Sequence, residues 1–422
     1  MIDAIWEWLK EPTPFLVATA IAKIAFVFGV VLTFAAVLVW AERRQSAKIQ
    51  DRVGPTLAGI PLPFTLYYPA RVGKALFARG SWKWVGTRQL RLFGLLHSIA
   101  DSIKLIWKED FVPPNADKFL HAAAPIIALV PALAAFAVIP FGDTVYLDLL
   151  GQSLDATRFA GGHLPATFAV PLQVASVNVG ILYIFAIAGT GVVGAAIAGY
   201  ASDNKFSLLG GMRAAGQMVS YEVTLGLALV PMFMLYHTLL LDQMVHEQTH
   251  TLWGFIPAWG VFKGAGIGFV SLVLFMTASI AESKRMPFDA PEGESEIVGG
   301  YFTEYSGLKF GMFFTGEFAE LIVSSALMVT IFFGGYSLPG LAPDGIHAFG
   351  WVQPLAHWGV TLIAVGTFLV KLILMIWFQL MIRWTVPRFR YDQIMKLCWR
   401  VLLPASLGVI LATGFFVQLF QR

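Results

Sequence analysis

Residues 177–199 read VNVGILYIFAIAGTGVVGAAIAG, an apolar stretch without a charged side chain. A helix of about 20 apolar residues crosses the hydrocarbon core of a bilayer, so this stretch predicts a membrane-spanning helix. Its four glycines between positions 189 and 199 give the helix a small-residue face on which a neighbouring helix can pack closely.

Seven other stretches have the same length and apolar character. The chain is 57% hydrophobic and 13% charged, which is more apolar than a soluble domain of 422 residues can bury. We therefore predict an all-α integral membrane protein, a single domain over 1–422, with about eight transmembrane helices and additional amphipathic helices on the cytoplasmic side. The predicted spans cover 15–40, 119–141, 177–199, 215–241, 261–281, 311–335, 359–382 and 400–420.

The distribution of basic residues predicts the orientation. Most of the 29 Lys and Arg residues follow spans 1, 3, 5 and 7, whereas the other side has only Lys10, Arg158, Lys263 and Arg422. The positive-inside rule places the basic loops in the cytoplasm and both termini outside. No basic leader with a small-residue cleavage site precedes the first span, so we expect that span to be retained.

The longest loop, 42–118, is basic and ends in HSIADSIKLIWKEDF (97–111). This segment alternates charged and apolar residues as an amphipathic helix at a membrane surface does. The single cysteine, Cys398, excludes a disulfide framework and any all-cysteine iron–sulfur or zinc site.

The acidic loop 282–310 lies within AESKRMPFDAPEGESEIVGGYFTEYSGLKFG. Acids also continue into the membrane: Glu222 lies about two turns into span 4, and Glu317 lies at a similar depth in span 6, with Glu320 on the same face. A carboxylate inside a span costs roughly 2.5–3.5 kcal/mol, so such groups face a partner or a wet cavity. Either a buried ion pair or a proton relay explains one of them, and the whole set favours a relay. Its predicted members are Glu222, Glu282, Asp289, Glu292, Glu294, Glu296, Glu304 and Glu317.

Residues 246–250 read HEQTH, the HExxH spacing that sets two imidazoles on one helical face to bind zinc. The motif falls at the outer exit of span 4, in a short loop without an obvious third ligand. We therefore predict no metal site.

Four stretches, in order along the chain, resemble the H-type membrane protein of bacterial NADH–quinone oxidoreductase (respiratory complex I), the counterpart of mitochondrial NADH dehydrogenase subunit 1. They are AERRQSAKIQDRVGP, GYASDNKFSLLGGMRAAGQMVSYEV, the EGESE…TEYSG block and RWTVPRFRYDQIM. The resemblance covers nearly the whole chain. This sequence departs from the family by an insertion of roughly 30 residues, at about 60–92, and by substitutions such as Thr56 and His97-Ser98 near the expected quinone entrance.

The resemblance implies a membrane subunit that forms the wall and mouth of a quinone cavity and the first acidic relay toward pump subunits. The substrate would be quinone, and this chain alone would bind no cofactor, because FMN and iron–sulfur clusters sit in partner subunits. Partners would be the peripheral-arm quinone-site and iron–sulfur subunits, small membrane subunits, antiporter-like subunits and lipids, in a bacterial inner membrane, without nucleic acid. The resemblance also assigns six residues to the quinone cavity and docking surface: Glu42, Arg43, Arg52, Asp101, Arg213 and Arg285.

Two other functions remain open from the sequence. A homologous subunit of a membrane-bound hydrogenase would share these motifs, because the electron donor lies outside this chain. An ion-coupled secondary transporter would also line its path with acids. Identifying the proteins that copurify with this chain would distinguish the three candidate functions.

The orientation can be tested by cysteine labelling in intact cells. With Gly59→Cys or Asn204→Cys, the new thiol should react only with membrane-permeant reagents, whereas that of Ser153→Cys should react with impermeant ones. Reversed labelling would contradict the orientation and every cytoplasmic assignment that depends on it.

Overall fold

The computed structural model describes residues 12–55, 60–61, 89–90, 94–146, 169–252, 256–342, 345–348, 351–355 and 357–420. Its helices are α1 (Pro12–Ile49), α2 (Leu96–Trp107), α3 (Lys118–Ala135), α4 (Gly180–Ala201), α5 (Lys205–Tyr236), α6 (Leu241–His246), α7 (Ile267–Glu282), α8 (Glu294–Ile297), α9 (Gly307–Phe332), α10 (His357–Thr385), α11 (Tyr391–Leu397) and α12 (Leu403–Phe420). A π-helical turn, Cys398–Leu402, joins α11 to α12. Short 3₁₀ turns cover Phe136–Val138, Gly260–Phe262 and Gly300–Phe302.

The strands are short antiparallel pairs outside the long helices. They are β1 (Ile60–Pro61) with β2 (Gln89–Leu90), β3 (Val145–Tyr146) with β4 (Ala169–Val170), β5 (Thr251–Leu252) with β6 (Ile256–Pro257), and β7 (Leu341–Ala342), β8 (Gly345–Ala348) and β9 (Trp351–Pro354) in one three-stranded sheet. The β1–β2 pair joins the two ends of the predicted insertion. Residues 62–88, between these strands, lie outside the described residues.

The predicted all-α membrane fold is confirmed. Among the described residues, seven helical segments are long and apolar enough to cross a membrane: α1, α3 with its 3₁₀ extension, α4, α5, α9, α10 and the continuous α11–α12 segment. The remaining predicted span, 261–281, corresponds to the shorter helix α7.

Helix α7 has 16 residues and is about 24 Å long. It begins late because Gly264, Ala265 and Gly266 all have positive φ, at 70°, 53° and 98°. Three successive left-handed residues cannot belong to a right-handed helix, so the first part of the predicted span forms a turn. The helix ends at Glu282, where the acidic loop begins.

Helix α9 is the most deeply buried of the long helices. It packs against α1, α2, α3, α7 and α10, so the acids that it bears face protein on several sides. The glycine face of α4 packs as the sequence predicts: a Cβ added at Gly194 would lie 2.7 Å from the backbone nitrogen of Ala128 in α3.

The amphipathic helix α2 packs beside the start of α9, where Leu105 contacts Gly311. Its other face exposes Ile99, Ile103 and Ile106, which follow one another at the spacing of one helical face. This arrangement is typical of a helix at a membrane surface.

Two lysines lie within the spans. Lys371 in α10 donates hydrogen bonds to the carbonyl oxygens of Phe333, Gly335 and Ser337, at 2.8, 3.0 and 2.6 Å. It therefore caps the chain where it leaves α9. Lys23 in α1 donates to the carbonyl oxygen of Pro171 at 3.4 Å.

Candidate functional site

Glu42, near the end of α1, lies between two arginines from distant parts of the chain. Its Oε2 is 3.2 Å from Nη1 of Arg285, and its Oε1 is 2.6 Å from Nη1 of Arg383. Glu42 and Arg285 are both buried. The cluster therefore ties α1, the loop after α7 and the end of α10 together by buried charge.

Arg285 keeps hydrogen-bonding capacity beyond this pair. Its guanidinium lies over the ring of Phe318, 3.9 Å from the ring centroid. Its Nε and Nη2 have no hydrogen-bond partner among the residues that the structure describes, and neither does Nε2 of Gln45, one turn beyond Glu42. Buried donors in this state are costly unless a ligand or water accepts from them.

A second cluster lies between the acidic loop and α9. The hydroxyl of Tyr301 donates to Oε1 of the buried Glu317 at 3.3 Å, and Nζ of Lys284 lies 3.8 Å from Oε2 of Glu320. The charge of Glu317 also acts on the neighbouring Glu292 carboxyl. Two buried carboxyl groups placed close together disfavour ionisation of both at once.

The environment of Glu292 favours its protonated form. Burial raises the pKa of the Glu292 carboxyl well above its usual value, and the negative charge of Glu317 raises it further. Lys284 and Arg383 oppose this effect. For Asp289, nearby in the same loop, burial also raises the pKa although the Arg388 guanidinium lowers it.

A cavity of about 50 Å³ lies beside this cluster, among α3, α4, α5, α7 and α9. Glu282, Glu320 and the hydroxyl groups of Ser279, Ser283 and Ser324 belong to its lining, which is otherwise mostly apolar. A cavity of this size has room for more than one water molecule, and its polar groups provide hydrogen-bonding partners.

Glu222 reaches this region from α5. A Cβ added at Gly189 in α4 would lie 2.7 Å from Oε1 of Glu222, so the glycine makes room for this carboxylate. Glu282 interacts electrostatically with Glu320 and Glu222. The structure thus brings Glu222, Glu282, Glu292 and Glu317 of the predicted relay together and adds Glu320.

Three other predicted relay acids form contacts outside this cluster. Asp289 lies 2.7 Å from Nε of Arg388, Glu296 lies 2.7 Å from Nη1 of Arg213, and Glu304 accepts from Nδ2 of Asn204 at 2.6 Å. Glu294 begins α8, but its side chain lies outside the described part of the chain. These contacts tie the acidic loop to the neighbouring helices.

The predicted mouth residues form a network at the end of α1 and on α2. Nη2 of Arg43 and Nδ1 of His97 both lie 3.1 Å from Oδ2 of Asp101. Nη1 of Arg43 is also 2.6 Å from Nε2 of His97. Arg52 donates within its own turn, to Oε1 of Gln50 at 2.6 Å and to the Ser46 hydroxyl at 3.3 Å.

The HEQTH segment does not form a helical zinc motif. Helix α6 ends at His246, so the second histidine does not follow on the same helix. The imidazole Nε2 of His246 lies 3.4 Å from the Tyr336 hydroxyl and 3.6 Å from Oδ2 of Asp242. In the described ranges, no three His, Cys, Asp or Glu side chains are placed to hold a metal ion together.

Sequence reasoning assigns no site role to Arg383, Arg388, Lys284 and Tyr301, and it leaves Glu320 outside the relay. Arg383 and Arg388 lie in the RWTVPRFR segment, whose positive charge by itself indicates only the orientation. The i,i+3 spacing of Glu317 and Glu320 is the one signal that could have added Glu320 to the relay.

The fold and the site together define a multi-pass membrane protein that buries connected clusters of carboxylates and basic side chains at one end of its helix bundle. The sequence pattern of the NADH dehydrogenase family matches residues 22–414. One H-type chain of the NADH-quinone oxidoreductase of Geobacter metallireducens is 40% identical over 408 residues, which cover 96% of this chain and 98% of the relative.

Other relatives agree. An H-type chain of the NADH-quinone oxidoreductase of Geobacter sulfurreducens is 41% identical, over 94% of this chain and 96% of its own length. The corresponding chain of Cytophaga hutchinsonii is 36% identical over 98% of both chains. The chain belongs to the NADH dehydrogenase family of membrane subunits, and the membership predicted from its four sequence stretches is confirmed.

The Glu42 cluster should be more sensitive to substitution than a surface pair. Glu42→Gln leaves the buried guanidinium of Arg285 and the partly buried one of Arg383 without their carboxylate, which should cost about 3–5 kcal/mol. We expect less assembled complex and a lower midpoint of its thermal inactivation.

The matched control is Glu296→Gln, which removes an equally short ion pair whose carboxylate side chain is 41% exposed. An exposed pair contributes at most about 1 kcal/mol, so this variant should assemble almost normally. Equal loss in the two variants would show that the Glu42 cluster does not hold these elements together.

Proposed function

We propose that this chain is the membrane subunit of an NADH–quinone oxidoreductase that forms the membrane side of the quinone cavity and the first proton relay toward the pump subunits. The observation that carries this proposal is the continuity of the site. The arginine cluster around Glu42 adjoins buried carboxylates, of which Glu282 and Glu320 line a mostly apolar cavity and Glu282 interacts with Glu222 inside the bundle.

The quinone cavity would lie beside Arg285 and the end of α1. A quinone headgroup has two carbonyl oxygens, and the unpaired Nε and Nη2 of Arg285 supply buried donors that could bind one of them. Phe318, beneath the same guanidinium, supplies an apolar ring surface. The exposed apolar face of α2 would meet the lipid from which quinone enters, and Arg43, Asp101 and Arg52 would frame the mouth.

Redox cofactors would belong to partner subunits. Cys398, which is buried, donates its thiol to the carbonyl oxygen of Ser220 at 3.3 Å. It lies in the π-helical turn between α11 and α12 and packs against α5. FMN and iron–sulfur clusters in the peripheral arm would supply the electrons, and this chain would bind the quinone that receives them.

The proposed relay depends on the negative charge that quinone reduction creates. Reducing a quinone to a quinol consumes two electrons and two protons, so negative charge appears beside the acidic loop before protons arrive. The neighbouring carboxyl groups of Glu292 and Glu317 would store a proton close to this charge. A proton that leaves this pair changes the balance of charge on Glu320 and Glu282, and coupled carboxylates then change protonation together. Water in the cavity would carry the change to Glu222.

The basic loops would dock the peripheral arm from the cytoplasm. Under this orientation the acidic loop and the RWTVPRFR segment share one side, as their ion pair between Asp289 and Arg388 requires. Arg213, on the same side, would contribute to the docking surface. The chain would lie in the bacterial inner membrane beside small membrane subunits and antiporter-like subunits.

The relay predicts that removing one acid separates electron entry from coupling. In assembled Glu222→Gln enzyme, NADH oxidation by a water-soluble artificial acceptor should stay near wild type. Quinone-linked turnover and proton pumping should both fall by at least roughly tenfold, because a position that carries protons can no longer ionise. Glu222→Asp should retain part of the activity, and Glu282→Gln should behave as Glu222→Gln does.

The control is His246→Ala on the opposite side of the bundle, where a titratable side chain is lost outside the relay. It should leave quinone-linked turnover nearly unchanged. If Glu222→Gln enzyme pumps normally with quinone, Glu222 has no part in the relay.

A further inference from the structure

Lys284 lies where α7 ends and the acidic loop begins, and it is only 5% exposed. Its backbone φ is +57°, in the left-handed region that side chains other than Gly, Asn and Asp rarely occupy. A lysine is neither a favoured residue for this backbone conformation nor a favoured residue for burial. Its side chain therefore calls for an explanation beyond the turn.

Carboxylates surround the ammonium group. Nζ of Lys284 lies 3.8 Å from Oε2 of Glu320 and 5.8 Å from the ring centroid of Tyr301. Burial by itself lowers the pKa of Lys284, but four carboxylates raise it above its usual value, so the side chain stays charged. In order of effect they are Glu320, Glu317, Glu292 and Glu282.

The neighbouring arginines form their ion pairs with other carboxylates. Arg285 and Arg383 both form ion pairs with Glu42, and Arg388 pairs with Asp289. Oε2 of Glu320, by contrast, has no hydrogen-bond partner among the described residues, and its ion pair is the one with Lys284. Among the described residues, Lys284 is therefore the cation that forms an ion pair with this carboxylate cluster.

We propose that Lys284 is a positioning residue for proton transfer: its fixed positive charge, 3.8 Å from Glu320, stabilises the ionised form of that carboxyl group and sets how readily the neighbouring carboxyls of Glu292 and Glu317 take up and release a proton. This inference rests on the proposed relay and names the residue that sets its charge state. One ammonium group cannot neutralise four carboxylates. It neutralises the one that it contacts, and the others must share protons or be hydrated.

Loss of the Lys284 charge should shift the pH dependence of turnover in one direction. A nearby cation favours the ionised form of a carboxyl group, so without Lys284 the cluster should retain protons to higher pH. The acidic limb of the quinone-linked pH–rate profile should then move upward. The groups that act on this cluster are Glu222, Glu282, Arg285, Glu292, Tyr301, Glu317, Glu320 and Arg383.

The test uses the complete purified enzyme with Lys284→Asn and Lys284→Arg. Asn removes the charge and tolerates a left-handed backbone, so the turn is kept. In Lys284→Asn, the acidic midpoint of quinone-linked turnover and of proton pumping should rise by roughly one pH unit or more. In Lys284→Arg it should stay near wild type, and NADH oxidation by a water-soluble acceptor should be unchanged in both.

Lys309→Asn is the matched control, because it removes a lysine that pairs with Asp110 outside the relay. It should leave the acidic midpoint in place. Lys284→Gln, a second neutral substitution, covers the case in which Lys284→Asn fails to assemble. It also removes the positive charge, so its acidic midpoint should rise as that of Lys284→Asn does.

The outcomes separate this inference from the proposed function. An unshifted midpoint in the assembled neutral variants, or an equal shift in Lys284→Arg, would overturn the role of Lys284. The relay itself would stand in each case if Glu222→Gln still abolished pumping. Normal pumping by Glu222→Gln would instead overturn the relay.

Discussion

A carboxylate withdrawn from water must be paired with a cation, protonated or hydrated, and this constraint organises one end of the helix bundle. Glu42 is paired, by two arginines. Burial and the charge of Glu317 favour the protonated form of Glu292, and Glu282 faces a cavity large enough for water. Glu282 interacts electrostatically with Glu222 and Glu320, so a change in one alters the free energy of ionisation in the next. We propose that burial, which would be costly in a passive membrane protein, is here a means of passing charge.

The backbone serves this arrangement. Helix α7 has only 16 residues and ends at Glu282. The acidic loop therefore begins among the neighbouring helices. The buried amide of Gln217 donates to the carbonyl oxygens of Ala281 and Phe288, at 2.8 and 2.7 Å, and so holds both ends of the turn that carries Lys284 and Arg285. Helix α9, the most buried of the long helices, presents Glu317 and Glu320 to that loop.

Hydropathy predicted the spans because each is a local property of about 20 residues. Hydropathy overestimated the length of the fifth span, because the left-handed turn at 264–266 depends on backbone conformation, which hydropathy does not report. The predicted relay acids could be selected from the sequence because a charge inside a span is conspicuous. Their partners were not, because Glu42, Arg285 and Arg383 meet only in the folded bundle. Charge pattern alone also could not separate the cluster around Lys284 from Glu296 and Glu304, which have ordinary polar partners.

The central claim is that buried glutamates change protonation when quinone is reduced. Redox-induced infrared difference spectroscopy measures this directly, using complete enzyme whose glutamates carry ¹³C in the side-chain carboxyl group. We expect quinone reduction to change the carbonyl-stretch band of protonated carboxylic acids, and the band to shift with the label. Part of it should be absent in Glu317→Gln enzyme. A spectrum without label-sensitive change in that band, recorded while quinone is fully reduced, would contradict the account.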